Sequence, residues 1–131
     1  MNHRGSYGSR TLVAHKDEGG KIIEEQIDFN EALKQLNNIL SNSSLIKIGH
    51  NIKYDIAVLK RYKIDVVSFE DTMLMSYIND AGNHRHGMDE LAKVHFNRDT
   101  IKFKDVVGTG KSQITFDYVE IEKAIEYAAE D

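Results

Sequence analysis

Residues 45–61, Leu-Ile-Lys-Ile-Gly-His-Asn-Ile-Lys-Tyr-Asp-Ile-Ala-Val-Leu-Lys-Arg, decide the fold class. Leu45 to Ile48 is a short, mostly apolar run of the length of a buried strand, and Gly49 closes it. Apolar residues then return at Ile52, Ile56 and Leu59, the spacing of one helical face, as far as about Arg61. A strand followed by a glycine and then a helix is the α/β pattern.

The flanks extend that pattern. Upstream, Asp28 with Glu31 has capping-box spacing, with Asp in place of Ser or Thr. Phe29, Leu33, Leu36 and Leu40 follow on one helical face, and Asn42-Ser43-Ser44 ends it. Lys16 to Lys21, with Gly19 and Gly20, reads as a turn. Thr11 to Ala14 reads as a short strand, and residues 1–10 as a loose polar lead-in. Downstream, Val66 to Phe69 reads as a strand with Asp71 at its end, and Thr72 to Ile78 as a helix. Asp80 to Gly87 is a polar loop, and Met88, Leu91, Ala92 and His95 mark a further helix. Asn97 to Thr115 is less regular. Asp117 with Glu120 repeats the capping-box spacing before a last helix, whose apolar stripe is Ile121, Ala124, Ile125 and Ala128 and which runs to Asp131.

The chain has 131 residues, enough for one compact domain, with 40% hydrophobic and 29% charged residues. It has no cysteine, which removes disulfides and thiolate metal sites. No apolar run approaches the roughly 20 residues of a membrane span, and the first ten residues have no apolar signal core. The expected location is the cytoplasm. A net charge of −4 argues against a duplex-binding module held by charge alone. It argues less against a metal-dependent nuclease, which needs clustered carboxylates and takes its positive charge from divalent ions.

Several side chains have the chemistry for a site. Asn51 and Asp55 lie just after a strand, where sites of open α/β sheets gather, and at i and i+4 they share a helix face. An acid there can hold a metal, although position alone favours a carboxylate that simply suits a helix N-terminus. Tyr127 and Asp131 have the same spacing and together can hold a water and a metal. The plainer alternative is a half-buried tyrosine beside a solvated acid. Asp71 reads as a helix N-cap before a third acidic site. His84 and His86, with no third ligand, read as solvated loop residues. Gly110-Lys111-Ser112 resembles the end of a phosphate-binding loop, but the required earlier glycine is replaced by Asp105.

In combination the segments are far more specific. GHNIKYD (49–55), DTMLMSYI (71–78), HGMDELA (86–92), IKFKDVVGTGKSQITF (101–116) and YAAED (127–131) occur in that order. With them the chain resembles the 3′–5′ proofreading exonuclease domain of bacterial DNA polymerase I. The resemblance implies the ribonuclease H-like fold, a mixed sheet flanked by helices, and hydrolysis of 3′-terminal nucleotides of single-stranded DNA with two divalent ions, magnesium or manganese. It makes Asp55 and Asp131 metal-binding carboxylates and Tyr127 the group that orients the attacking water. His50, Asn51 and Tyr54 fall where the terminal nucleotides are held, Arg85 at a phosphate contact and Met88 in the base pocket. Phe103 matches an aromatic that stacks on a splayed base.

The sequence departs from that family in one respect. The family's first motif is Asp-x-Glu on the first strand, and no Asp-x-Glu occurs anywhere in the 131 residues. Thr11 to His15 matches the family's third strand, so the expectation is an incomplete fold over residues 1–131 that lacks the first strands of the sheet. An open sheet edge then invites self-association. Two functions compete: an impaired exonuclease, unaided or completed by another chain that supplies the missing motif, and an inactive module that keeps nucleic-acid binding or a structural role; the expected partners are a single-stranded DNA 3′ end and a polymerase domain or that other chain.

Overall fold

The computed structural model describes residues 14–24 and 26–130. They fall into two compact units, one drawn from the chain up to Gln26 and from Thr100 onward, the other spanning Ile27–Asp99. Among the described residues no helix is long and apolar enough to cross a membrane.

The Ile27–Asp99 unit carries the strand–helix pattern. It comprises α1 (Phe29–Leu40), β1 (Lys47–Gly49), α2 (Lys53–Lys60), β2 (Phe69–Asp71), α3 (Thr72–Asp80) and α4 (Met88–Phe96). Asp28 caps α1 as expected, accepting the Glu31 N–H at 3.0 Å. Asp71 caps α3, accepting from the Met73 and Leu74 N–H groups. Asn97 ends α4 in the left-handed conformation, with φ 51°, which suits Asn at a helix end.

β1 and β2 pair in parallel, Lys47 opposite Phe69 and Gly49 opposite Asp71. Parallel pairing puts the carboxyl ends of both strands, and the starts of α2 and α3, at one edge of the sheet. Both strands lie further along the chain than their apolar runs predict. β1 begins at Lys47, two residues after Leu45, and β2 at Phe69, three after Val66. Ser68 explains the second shift. Its φ of 52° breaks the extended backbone before Phe69, while Val67 N–H bonds the Leu40 carbonyl instead of a strand. Nor is β1 buried: Ile48 is 73% exposed, and Ile46 just before the strand 69%. A two-stranded sheet leaves these side chains uncovered among the described residues.

Gly49 is required where it stands. A Cβ on it would lie 2.8–3.0 Å from the Ile52 side chain, closer than real contacts allow. The turn into α2 can therefore be this tight only without a side chain at that position.

The second unit holds α5 (Phe103–Val107), α6 (Ile121–Glu130) and short 3₁₀ turns at Gly110–Ser112 and Phe116–Tyr118. Its core is Val107, Val119 and Ala124, with Phe103, Val106 and Phe116 packed against them. The Lys16–Lys21 turn forms, closed by an antiparallel bridge between Lys16 and Ile22. Thr11 to Val13 of the expected strand lie outside the described residues, as does the lead-in 1–10, and Ala14 is in no strand. The expected capping box at Asp117 does not form. Phe116–Tyr118 is a 3₁₀ turn, α6 starts at Ile121, and the Asp117 carboxylate bonds Lys16 Nζ at 3.0 Å.

Candidate functional site at the start of α2

The segment Gly49–Asp55 leaves β1 at its carboxyl end and enters α2. Asn51 takes a left-handed conformation, with φ 58°, which Asn tolerates better than most residues. Tyr54 N–H bonds the Asn51 carbonyl at 3.1 Å and Ile56 N–H the Ile52 carbonyl at 2.9 Å, so the helix starts at once. Asp55 falls in the first turn, where the helix dipole favours a carboxylate. It is exposed and forms part of the wall of an open hollow of about 300 Å³ lined by Leu40, Ile48, Ile52, Leu59 and Val66. Tyr54 beside it is exposed as well.

His50 is held from two sides. One ring nitrogen, Nε2, donates to the His86 carbonyl at 2.8 Å, and Nδ1 lies 2.9 Å from Thr72 Oγ1. Thr72 also donates to the Gly49 carbonyl at 3.2 Å. The Asn51 side-chain oxygen is buried and has no hydrogen-bond partner. It is an acceptor placed in the turn with its capacity unused.

Asp71 is the buried acid of this region, 9% exposed. It accepts four backbone N–H groups: Asn51 and Ile52 at 3.0 Å each, Met73 at 2.9 Å and Leu74 at 3.4 Å. Burial pushes its carboxyl up, but the N–H groups of Asn51, Met73, Leu74 and Ile52 together hold it below the usual carboxylate range. The sequence shows the cap on α3. The reach across to α2 has no sequence signal.

The loop before α4 folds back on α3. His86, expected to be solvated, is instead buried. Its Nδ1 lies 2.8 Å from Ser76 Oγ, and its ring packs on Tyr77 at 3.9 Å between centroids. His84 donates to the Arg85 carbonyl and faces Asp80 at 3.1 Å. The Arg85 carbonyl raises the His84 pKa, burial opposes it, and Asp80 adds to the rise. Asp80 is lowered by the Asn83 amide, against burial, and then by His84. Arg85 is exposed, and Met88 opens α4 half-buried.

In the other unit Phe103 and Tyr127 are brought together. Their ring centroids are 5.9 Å apart, and Phe116 lies 6.2 Å from Phe103 and 5.9 Å from Tyr127. Tyr127 sits on α6, half-buried. Asp131, the expected metal-binding acid four residues on, lies outside the described residues. Among the described residues no group of three or more His, Asp or Glu side chains is arranged to hold a metal ion. The described side chains alone therefore do not fit a divalent cation site.

Comparison with known proteins gives the family. A family profile described as 3′–5′ exonuclease matches residues 1–131. DNA polymerase I of Rhizobium leguminosarum is 47% identical over 113 residues, 86% of this chain and 11% of that protein. DNA polymerase I of Pseudomonas aeruginosa is 41% identical over 113 residues, 83% of this chain and 12% of that protein. DNA polymerase I of Treponema pallidum is 34% identical over 112 residues, 83% of this chain and 11% of that protein. The chain thus spans about a ninth of the length of these curated relatives. With a match along its whole length and a strand–turn–helix site carrying GHNIKYD, the chain belongs to the 3′–5′ exonuclease family.

Proposed function

We propose that the chain acts at 3′ ends of single-stranded DNA as a proofreading-type exonuclease domain, with hydrolysis impaired because it carries no Asp-x-Glu motif. The observation that supports this most is the placement of Asp55, exposed in the first turn of α2 just beyond the carboxyl end of a parallel strand. The RNase H-like fold belongs to the same reading.

The chain's own side chains divide the work. Asn51 and Tyr54, the latter with an exposed ring, hold the terminal nucleotides. His50 stiffens the turn beneath them through Thr72 and the His86 carbonyl. Arg85 supplies an exposed guanidinium for a phosphate, and Met88 an apolar side chain for a base. Phe103 stacks on a splayed base, a contact worth about 1–3 kcal/mol and indifferent to sequence. Tyr127 orients the attacking water. Asp55 and Asp131 are the carboxylates for magnesium or manganese.

A second reading has its own support: the absence of Asp-x-Glu favours a module that binds single strands or has a structural role without cleaving. In either case the working partners are a DNA 3′ end and a polymerase domain, or a chain supplying the missing motif. Among the described residues β1 pairs only with β2, and an edge left open in this way allows self-association.

A 5′-labelled oligonucleotide with manganese separates the two readings. Slow shortening that Asp55→Ala abolishes supports the impaired exonuclease. Binding without shortening, unchanged by Asp55→Ala, supports the second reading. Neither binding nor shortening removes both.

A further inference from the structure

Helix α2 starts without a cap of its own. Its N-cap residue is Ile52, whose side chain makes no capping hydrogen bond. The first N–H groups of any helix have no partner inside it. Here the acceptor comes from 19 residues further along the chain, where Asp71 Oδ2 takes the Ile52 N–H. Oδ1 takes the N–H of Asn51, and it also caps α3 through Met73 and Leu74. The neighbouring Thr72 adds its bond to the Gly49 carbonyl.

An ordinary N-cap needs one side-chain oxygen, which Ser, Thr or Asn supplies equally well. Here Oδ1 alone bridges the two helix starts and Oδ2 adds the Ile52 N–H, which suits a carboxylate, an acceptor with two oxygens and no hydrogens of its own. The turn so held also carries a left-handed non-glycine residue, Asn51 at φ 58°. Tyr54 and Asp55 follow within the first turn of α2, so the direction in which they project depends on how that turn is fixed.

We infer that Asp71 is a positioning residue of the exonuclease site: by tying the Asn51–Ile52 turn to the start of α3, it aims Tyr54 and Asp55 at the DNA end. Its two oxygens serve backbone donors, three N–H groups on Oδ1 and one on Oδ2, which is the work of a support and not of a group that touches the substrate. The functional half of this inference rests on the nuclease reading above, and the geometric half does not.

The test uses the full chain with Asp71→Ser and Asp71→Asn. Serine keeps one oxygen in reach of Met73 and Leu74 but is too short to reach α2. Asparagine keeps one oxygen and turns an NH₂ group toward an N–H donor. Amide hydrogen exchange reads the cross-tie. Asp71→Ser should speed exchange at Asn51 and Ile52 by about ten-fold, the loss of one hydrogen bond each, with Met73 and Leu74 changed little. Asp71→Asn should speed Ile52 more than Asn51. Affinity for a 5′-labelled single-stranded oligonucleotide with manganese reads the aim. It should fall about ten-fold in Asp71→Ser and less in Asp71→Asn, again by the weight of one hydrogen bond.

Unchanged exchange at Asn51 and Ile52 overturns the cross-tie. Faster exchange with parental DNA affinity overturns the positioning role. If Asp71→Ser unfolds, protection is lost at buried Ile64 too, and Asp71→Asn then decides. If the parent binds no oligonucleotide, the nuclease reading and the positioning role fall together, while exchange still decides the cross-tie.

Discussion

In the unit that contains α5 and α6 the buried residues are Val107, Val119 and Ala124, with aromatic rings packed around them. In the Ile27–Asp99 unit they are Ile52 and Ile64 together with Asp71 and His86. The first unit is held by non-directional apolar contact, which scales with area. The second relies at its centre on directional bonds: a carboxylate on four N–H groups and a histidine between Ser76 and Tyr77. Apolar packing tolerates small shifts. A hydrogen-bonded turn does not, because each bond weakens steeply with angle. The polar unit is therefore the one built to hold side chains in a fixed direction, and Asn51, Tyr54 and Asp55 lie in it.

That contrast can be tested by mutation. The largest effect should come from the apolar unit. Phe116→Ala removes a ring that touches Phe103, Tyr127 and His15, and should cost about 3 kcal/mol in chemical denaturation, the low end for a buried ring because this one is half-buried. Exchange protection around Val107 and Val119 should drop with it. A loss below about 1 kcal/mol would mean that the aromatic cluster does not carry that unit.

Gly49→Ala probes the polar unit. The new methyl meets Ile52, and overpacking of this kind costs about 1–3 kcal/mol. The change should also weaken oligonucleotide binding more than it weakens stability, because the strain falls on the turn. Equal sensitivity to Gly49→Ala and to a distant substitution of the same stability cost would break the contrast.

Acid should separate the units as well. The folded-state pKa of Asp71 is depressed, so its contribution is present above the usual carboxylate pKa of about 4 and is lost as pH falls through the lower folded value. Exchange at Asn51 and Ile52 should therefore accelerate below about pH 4, ahead of Val107. The smallest effect belongs to the Lys16–Asp117 pair. The Thr115 side chain, and then Lys16, lower Asp117, while Asp117 raises Lys16. The pair's contribution is whole between about pH 4 and pH 10, the ordinary aspartate and lysine values, and falls away as pH drops through the lower Asp117 value or climbs through the higher Lys16 value. Asp117→Asn should lower Tm by only about 2 °C at neutral pH, and salt should shrink the difference. A larger drop would show that this pair, and not the apolar cluster, anchors its unit.

Much of this was legible in the sequence. The periodicity of Phe29, Leu33, Leu36 and Leu40 and the cap at Asp28 locate α1, and the Ile52, Ile56, Leu59 spacing locates α2. The strands were legible as elements but not in their bounds. A left-handed residue such as Ser68 shifts a strand start without altering the apolar run that announces it. The Asp117 spacing misled because the carboxylate found Lys16, a partner 101 residues away, before any N–H of α6. The strand–glycine–helix order that carries Asp55 was legible from the segment itself. The burial of His86 was not, because it depends on the loop folding back on α3.

The sequence by itself determined the family and located α1 and α2, since these depend on neighbours within a few positions or on the motif string itself. Only the tertiary structure decided that Asp71 is a buried cross-tie, and that Asp55 stands exposed at the start of α2. A carboxylate's role depends on which N–H groups come within about 3 Å of it. For Asp71, two of those groups come from a turn 19 and 20 residues earlier, which no local pattern records.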